Sequence, residues 1–205
     1  MFQVLFQGLL FGLAYVAPIG TQNLYVINTA TTQSRMKAYQ VALITVFFDI
    51  SLAIACFFGI GLLIEEFDLV KKAILLLGGG IVTYIGIGLI RSTAKLSTSD
   101  TVDTTLIKTI LSCFAVTWLN PQAIIDGSLL LGGFRATLDA DMAKYFIIGV
   151  CTASFTWFFT LATFITRFKE KMPRIIKWIN LICGSILVFY GLKLMFSFVQ
   201  LMNWI

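Results

Sequence analysis

The sequence predicts an all-α integral membrane protein with six transmembrane helices, arranged as two inverted three-helix repeats. Apolar residues make up 59% of the 205 residues and charged residues only 12%, which is far less charge than a soluble surface needs. The apolar residues also fall into six runs, each of about 20 residues or more, which is the length that crosses a bilayer. We therefore expect residues 1–205 to form a single transmembrane domain.

The six predicted spans cover approximately residues 2–28, 38–64, 70–90, 106–133, 143–166 and 175–200. Short polar or charged segments join them, and the third join is the longest and the richest in Ser and Thr. This join divides the chain into a first repeat of about residues 1–96 and a second of about 104–205. The first apolar run is too long for a cleaved signal peptide and has no basic leader, so we expect it to stay in the membrane.

The two halves carry related features. A proline interrupts span 1 and another interrupts span 4, about half a chain apart. Gly79 and Gly86 in span 3 have the same spacing as Gly184 and Gly191 in span 6. Because each half has an odd number of spans, the two copies must lie in opposite orientations, which is a common plan among transporters.

Span 1 is predicted to be a helix broken at Pro18. Pro18 lacks an N–H group and Gly20 relaxes the backbone, and the polar residues Thr21, Gln22 and Asn23 follow at once. A break at membrane depth leaves backbone groups without partners unless protein, water or a ligand satisfies them. The polar residues are therefore candidates either for stabilising a structural kink or for binding a solute.

Span 4 is predicted to be broken at Pro121. Asn120 is placed to cap the helix segment that Pro121 begins, since proline is tolerated at the first helical position. The N-terminus of that segment would suit an anionic group such as an amino-acid carboxylate. Asp126 lies about a turn and a half further along. The alternative interpretation is a structural kink beside a buried, hydrogen-bonded aspartate.

Two acidic residues, Asp49 in span 2 and Asp126 in span 4, lie far from the ends of their spans. A carboxylate at that depth is costly, so it usually faces a partner or a water-filled path. The basic residue nearest to that depth, Lys193, lies closer to the end of its span, so a permanent internal salt bridge is not expected. The pair indicates a carrier of a cationic or protonatable solute, with Asp49 and Asp126 as candidates for both substrate binding and proton coupling.

Other features argue against several classes of protein. The chain has no His, which removes His-based acid–base catalysis and most zinc sites, so no enzyme activity, metal site or cofactor is predicted. The net charge of +5 comes from basic residues in joins beside the spans. Lipid head groups and topology explain such residues, so nucleic acid is not an expected partner.

The distribution of Lys and Arg predicts the orientation in the membrane. Ten of these residues lie in the joins after spans 1, 3 and 5, and four lie on the opposite side. The positive-inside rule then places the first set, including Arg35 and Lys169, in the cytoplasm. Both termini are therefore expected to face outward.

These motifs resemble the LysE family of amino-acid exporters, specifically its basic amino-acid branch. The similar pieces are PIGTQN in span 1, the acid Asp49, GGGIVTYIGIGLIRS in span 3, WLNPQAIID in span 4 and GSILVFYGLKLM in span 6. The resemblance extends over essentially the whole chain. In the lysine and arginine exporters an aromatic residue usually precedes the Asp that follows the Asn-Pro motif. Here Ala123, Ile124 and Ile125 precede Asp126 instead.

The resemblance implies a secondary active exporter of amino acids in the plasma membrane, for lysine or arginine above all, coupled to a proton or membrane-potential gradient. The expected partners are a cationic amino acid, protons and the lipid bilayer, with a homo-oligomer as a further option. The repeat symmetry predicts that the two acids meet across a central cavity bounded by the two breaks. The expected substrate-binding residues are Thr21, Gln22, Asn23, Asp49, Asn120 and Asp126.

Alternative functions remain open from the sequence. One is export of neutral amino acids or of a metal cation, although a metal site would normally show more oxygen or sulfur ligands near the two acids. A remote alternative is a transmembrane thiol-transfer protein, which needs a redox cysteine beside the break in each half. Span 1 has no cysteine, and Cys113 lies about two turns before Pro121.

Overall fold

The structure, a computed structural model, describes residues 1–59, 67–94, 105–135, 138–169 and 173–202. Within these ranges all regular structure is helical and no strand occurs, as the all-α class requires. The last residues of predicted span 2 and most of the third join lie outside the described residues.

Most of the predicted spans correspond to one long helix or to several shorter pieces. Two π-helical turns, Ile74–Gly78 and Ser128–Gly132, join pieces of spans 3 and 4. The helices are α1 (Phe2–Val16), α2 (Thr21–Thr32), α3 (Arg35–Phe57), α4 (Asp68–Ala73), α5 (Gly79–Ala94), α6 (Leu106–Trp118), α7 (Pro121–Gly127), α8 (Gly133–Arg135), α9 (Ala140–Phe168) and α10 (Pro173–Leu201).

Fewer of the described helices are long and apolar enough to cross a membrane than the six predicted spans require. Judged by length and apolar composition alone, α3 and α9 are the two described helices able to cross a membrane, and the bent pair α1 and α2 gives a third candidate. The directions of α1 and α2 differ by 75°. α6 is apolar but shorter, because span 4 is interrupted before Pro121. The count of six spans therefore stays a prediction.

α1 and α9 pack with almost no space between their backbones. A Cβ atom added at Gly12 would lie 2.7 Å from the Cβ of Ala153 and 2.9 Å from the Cα of Val150. Gly8 similarly faces the backbone carbonyl of Phe146. Small residues permit this approach between membrane helices. The contact holds the end of α1, where the first break begins, firmly against α9.

Glycines also bring α5 and α10 together. A Cβ atom at Gly79 would lie 2.8 Å from the carbonyl oxygen of Gly191, and one at Gly184 would lie 2.9 Å from that of Gly86. The two helices therefore run antiparallel. These are the four glycines whose equal spacing stands out in the sequence.

α3 lies at the centre of the helices that surround the breaks, in contact with α2, α6, α7 and α9. Its inner face is buried and includes Asp49, Leu52 and Cys56. Its outer face carries Leu43 and Phe47, which are 56% and 68% exposed. A bilayer covers such an outer face, so α3 has one side toward lipid and one side toward the site.

Candidate functional site

A cavity of about 200 Å³ lies where the two interrupted segments meet. The end of α1, the first break, the first turn of α2 and the start of α7 form its walls. Its volume is below the roughly 300–1,000 Å³ of pockets for drug-sized ligands, which suits a solute of amino-acid size. It is lined by Tyr15, Val16, Pro18, Ile19, Gly20, Thr21, Gln22, Asn23, Asn120, Gln122, Ala123 and Asp126.

The N-terminus of α2 opens into this cavity. Gly20 precedes α2 in an extended conformation and supplies no side chain to cap the helix. The first amides of a helix have no intrahelical acceptor, and they carry positive partial charge. This wall of the cavity is therefore suited to an anionic group.

Asn23 satisfies the backbone groups that the first break exposes. Its Nδ2 atom donates to the carbonyl oxygens of Val16 at 2.9 Å and Pro18 at 2.7 Å. Its Oδ1 atom accepts a hydrogen bond from Trp157 Nε1 at 2.8 Å. Both amide hydrogens are used in this way, so Asn23 stabilises the break, which is one of the two roles that its position predicts. Contact of Asn23 with a solute stays a prediction.

A short chain of hydrogen bonds links the two breaks. Thr21 Oγ1 donates to the carbonyl oxygen of Val116 at 2.7 Å, and Asn120 Nδ2 donates to Thr21 Oγ1 at 3.0 Å. Asn120 directly precedes α7, and Pro121 is the first residue of that helix. The side chain of Asn120 does not cap α7, contrary to expectation. Its Nδ2 atom bonds to the Thr21 hydroxyl across the interface.

Asp126 lies on the open side of the cavity. It is exposed, and its Oδ1 atom accepts a hydrogen bond from Gln122 Nε2 at 2.7 Å, one turn earlier on α7. An ionised carboxylate has further lone pairs on both oxygens. Asp126 can therefore receive a cationic group of a solute in the cavity.

Asp49 is enclosed and is not among the cavity-lining residues. It is 0% exposed, and its Oδ2 atom accepts a hydrogen bond from Ser154 Oγ at 2.6 Å. Its Oδ1 atom has no hydrogen-bond partner. Gln22 lies close enough to interact with the carboxyl group, but its Nε2 atom does not reach a hydrogen-bonding position. The two acids are thus in different environments, whereas their positions in the sequence predicted that both face one cavity.

Four side chains around the site were not singled out from the sequence: Tyr15, Gln122, Ser154 and Trp157. Gln122 stands four residues before Asp126, a spacing at which helical side chains meet, so that pair was recognisable. Tyr15 lies three residues before Pro18, but no pattern distinguishes it from the other apolar residues of α1. Ser154 and Trp157 lie far away along the chain on α9, so only tertiary contacts bring them to the site.

In the part of the chain that the structure describes, the cysteines and acidic residues form no disulfide and no metal-binding cluster. Cys56 and Cys113 are buried free thiols and Cys151 is partly buried. Within the described ranges, no three His, Cys, Asp or Glu side chains come together in a way that suits a metal ion.

Together, the helical fold, the two breaks and the polar cavity with its open carboxylate define a membrane carrier for a small solute. The chain belongs to the LysE type translocator family, whose sequence profile matches residues 13–197. This confirms the resemblance noted in the sequence motifs.

Several curated relatives match almost the full length of the chain. "Arginine exporter protein ArgO" of Pectobacterium carotovorum subsp. carotovorum is 31% identical over 200 residues, which cover 95% of this chain and 96% of the relative. The protein of the same name from Escherichia coli K12 is 30% identical, with coverage of 95% and 94%. The one from Klebsiella pneumoniae strain 342 is 28% identical, with the same coverage. No solved structure gives a significant match.

Proposed function

We propose that this protein is a secondary active exporter of cationic amino acids, arginine or lysine, in the plasma membrane. The observation that carries the proposal is the exposed carboxylate of Asp126 in the same cavity as the uncapped N-terminus of α2. An amino acid with a cationic side chain needs both a site for a carboxylate and a site for a cation. Relatives named arginine exporters, about 30% identical over 95% of the chain, support the same substrate class.

The substrate is oriented by opposite charges at the two ends of the cavity. Its carboxylate rests at the first turn of α2, where backbone amides and Asn120 donate hydrogen bonds. Its ammonium or guanidinium group pairs with Asp126. A hydrogen bond to a charged group is worth roughly 1.5–3 kcal/mol, so removing the charge of Asp126 weakens recognition by about tenfold to a hundredfold. The hydrogen bonds of Thr21 and Asn23 stabilise the backbone at the break. Gln22 lines the cavity and lies close to Asp49.

Proton exchange drives the export. An inside-negative membrane potential opposes the exit of a cation by about 2.3 kcal/mol per charge per 100 mV. Entry of a proton for each exported cation offsets that cost. Asp126 and the enclosed Asp49 are the carboxyl groups available to carry the proton.

We also propose that the chain forms six spans as two inverted repeats of about residues 1–96 and 104–205, with spans 1 and 4 broken at Pro18 and Pro121. The helix pairs support this plan, because α1 packs on α9, α3 on α6 and α5 on α10. In terms of spans, 1 pairs with 5, 2 with 4 and 3 with 6. Exchanging the two halves reproduces the same set of pairs, as a two-fold axis in the membrane plane requires.

The function is tested with the purified protein in lipid vesicles. Vesicles loaded with unlabelled arginine should exchange it for labelled external arginine, and lysine should compete better than neutral amino acids or divalent cations. Asp126→Asn should reduce the exchange by about tenfold to a hundredfold. The control, Asp141→Asn, changes an exposed acid at the start of α9 and should leave the exchange unchanged. Near wild-type exchange by Asp126→Asn, or stronger competition by neutral amino acids or a metal cation, would favour the alternative substrates.

A further inference from the structure

A groove of about 360 Å³ runs along the surface of α9, near the C-terminal end of the helix. The residues that line it are spaced three and four apart, so they share one face of the helix. From its first to its last residue the groove extends about 14 Å, close to half of the roughly 30 Å hydrocarbon core of a bilayer. It is lined by Phe159, Thr160, Thr163, Phe164, Arg167 and Phe168.

The groove is apolar along its length and charged at one end. Phe164 is 59% exposed and Phe168 is 44% exposed. The Thr163 hydroxyl donates to the carbonyl oxygen of Phe159 at 2.7 Å, so it needs no acceptor from whatever fills the groove. Arg167 is the one charged residue in the lining. This combination suits a ligand with a hydrocarbon chain and an anionic end.

α3 borders the groove and runs antiparallel to α9. The Tyr39 hydroxyl forms a hydrogen bond with Thr163 Oγ1 at 3.1 Å, and the Tyr39 ring stacks on Phe159 with 6.1 Å between ring centroids. Nearer the membrane surface, Lys169 Nζ donates to the carbonyl oxygen of Gln33. Gln33 is as many positions before Tyr39 as Lys169 is after Thr163. The two contacts therefore keep one register between the helices.

In this register Arg35 lies opposite Arg167. Arg35 stands four residues before Tyr39 and Arg167 stands four residues after Thr163, which is about one helical turn in each case. Both arginine side chains are exposed. Two like charges on neighbouring helices repel, whereas an anion between them attracts both.

The charge at this end of the groove is of one sign. Residues 31–40 and 160–169 include four basic side chains and no acidic one. The planar guanidinium group of arginine binds phosphate through two parallel hydrogen bonds. Basic pockets between membrane helices are also suited to anionic lipid head groups.

We propose that the groove binds one acyl chain of an anionic phospholipid, with the lipid phosphate held between Arg35 and Arg167. None of the groove residues lines the cavity at the breaks, so the lipid site is independent of the solute that the carrier exports. The bound lipid contacts both α3 and α9. These are the two helices that the hydrogen bond from Ser154 to Asp49 joins deeper in the membrane.

The test measures lipid binding to the purified protein in a neutral detergent. Native mass spectrometry follows titrations with phosphatidylglycerol, which is anionic, and with phosphatidylcholine, which has no net charge. The wild type should bind phosphatidylglycerol more tightly. Each cation near the membrane surface contributes about a fivefold change in affinity, so Arg35→Gln with Arg167→Gln should weaken phosphatidylglycerol binding by about twentyfold. Binding of phosphatidylcholine should stay within about twofold of wild type.

A matched control removes the same charge elsewhere. Arg91 is an exposed arginine in the last turn of α5 and is not part of the groove. Arg91→Gln should bind phosphatidylglycerol like the wild type, whereas Arg167→Gln alone should bind it about fivefold more weakly. Equal losses in these two single variants would mean that general surface charge attracts the lipid, and the site would be refuted.

A second variant tests the acyl-chain part of the site. Thr160 is exposed within the groove, so Thr160→Trp fills the groove without entering the core. It should weaken phosphatidylglycerol binding by about tenfold or more, because the chain loses apolar contact area. Phosphatidylglycerol should also raise the unfolding temperature of the wild type, as a ligand of the native state does, and should raise that of Thr160→Trp less.

Three results overturn the proposal. One is unchanged phosphatidylglycerol binding in the double arginine variant. Another is competition by glycerol phosphate at millimolar concentration, which would show that phosphate alone occupies the site. The third is a dimer that Thr160→Trp dissociates while lipid binding is unchanged, which would mean that a second copy of the chain covers the groove.

The proposal stays testable if the double glutamine variant does not fold. Arg35→Lys with Arg167→Lys keeps both charges and loses the planar guanidinium groups. This variant should bind phosphatidylglycerol more weakly than the wild type but still more tightly than phosphatidylcholine. Equal binding of the two lipids would refute the site.

Discussion

Asn23 makes the first break tolerable in a membrane. The carbonyl groups of Val16 and Pro18 lose their helical partners at the break, and lipid offers them none. Asn23 donates to both and also accepts from Trp157. One amide side chain therefore satisfies two backbone oxygens and an indole N–H.

Asn23→Ala should lower the free energy of unfolding by about 3 kcal/mol or more, because each buried group left unpaired costs about 1–3 kcal/mol. The matched control is Asn28→Ala on the same helix. The Asn28 Oδ1 atom has no hydrogen-bond partner, so no donor to it is left unpaired and the loss of stability should be clearly smaller than for Asn23→Ala. Denaturant unfolding in detergent measures both. Equal losses in the two variants would contradict the role given to Asn23.

The position of Asp49 and Asp126 deep in apolar runs could be predicted from the sequence, whereas their roles in transport stay a prediction. Their different environments could not be predicted, because the hydrogen bond that encloses Asp49 comes from Ser154, 105 residues further along the chain. The sequence also left two roles open for Asn23, stabilising the break and binding a solute. Sequence places it beside the break, but only the bent backbone shows which acceptors its amide reaches.

At the scale of helices, α1 and α9 depend on glycine for their close approach. A Cβ atom at Gly149 would collide with the carbonyl oxygen of Leu5 and would lie 2.7 Å from the amide nitrogen of Leu9. Both atoms belong to the backbone of α1, so they cannot turn aside as a side chain can. Only separation of the two helices makes room.

Gly149→Ala should therefore lower the free energy of unfolding by about 1–3 kcal/mol, as overpacking of a tight contact usually does. Gly88→Ala is the control, because a Cβ atom there has no neighbour within 4 Å. That change should be neutral or should stabilise α5 by about 0.5–1 kcal/mol, since alanine favours helix. Thermal unfolding of both variants in detergent compares them. A stable Gly149→Ala would mean that α1 and α9 have room to separate.

The sequence predicted helix interruptions near Pro18 and Pro121, and the chain does leave helical geometry at 17–20 and at 119–120. The π-helical turns were not predicted. Their sequences, ILLLG and SLLLG, contain good helix formers that fit an ordinary α-helix equally well. A π turn arises from the packing around it, which a local sequence pattern does not specify.

At the scale of the whole molecule, the joins after spans 1 and 5 lie side by side. Lys169 Nζ donates a hydrogen bond to the carbonyl oxygen of Gln33, at the end of α2. Arg35 begins the next helix. Two of the basic joins therefore share one membrane surface, and the positive-inside rule assigns that surface to the cytoplasm.

We predict that this surface is cytoplasmic and that both termini are outside. In a variant without native cysteines, a membrane-impermeant thiol reagent applied to intact cells should label Asp141→Cys and leave Ser97→Cys unlabelled. Position 141 is exposed at the start of α9, and position 97 lies outside the described residues. Ser97→Cys should react only after the membrane is permeabilised. The opposite pattern would reverse the orientation.

Composition and span length predicted the class of protein, because low charge and long apolar runs are typical of membrane proteins. The family could be predicted from the two proline motifs, PIGTQN and WLNPQAIID, together. The number of spans is harder to predict from the sequence, because an apolar run alone does not show whether its helix continues across a break.

The hydrogen bonds from Asn120 to Thr21 and from Thr21 to Val116 join the two halves at the breaks, beside the bond from Trp157 to Asn23. A single hydrogen bond contributes about 0.5–1.5 kcal/mol net, only one to three times the thermal energy. Thermal motion can therefore break these bonds readily. We expect them to hold the two halves together at the breaks while adding little to the barrier when the carrier opens.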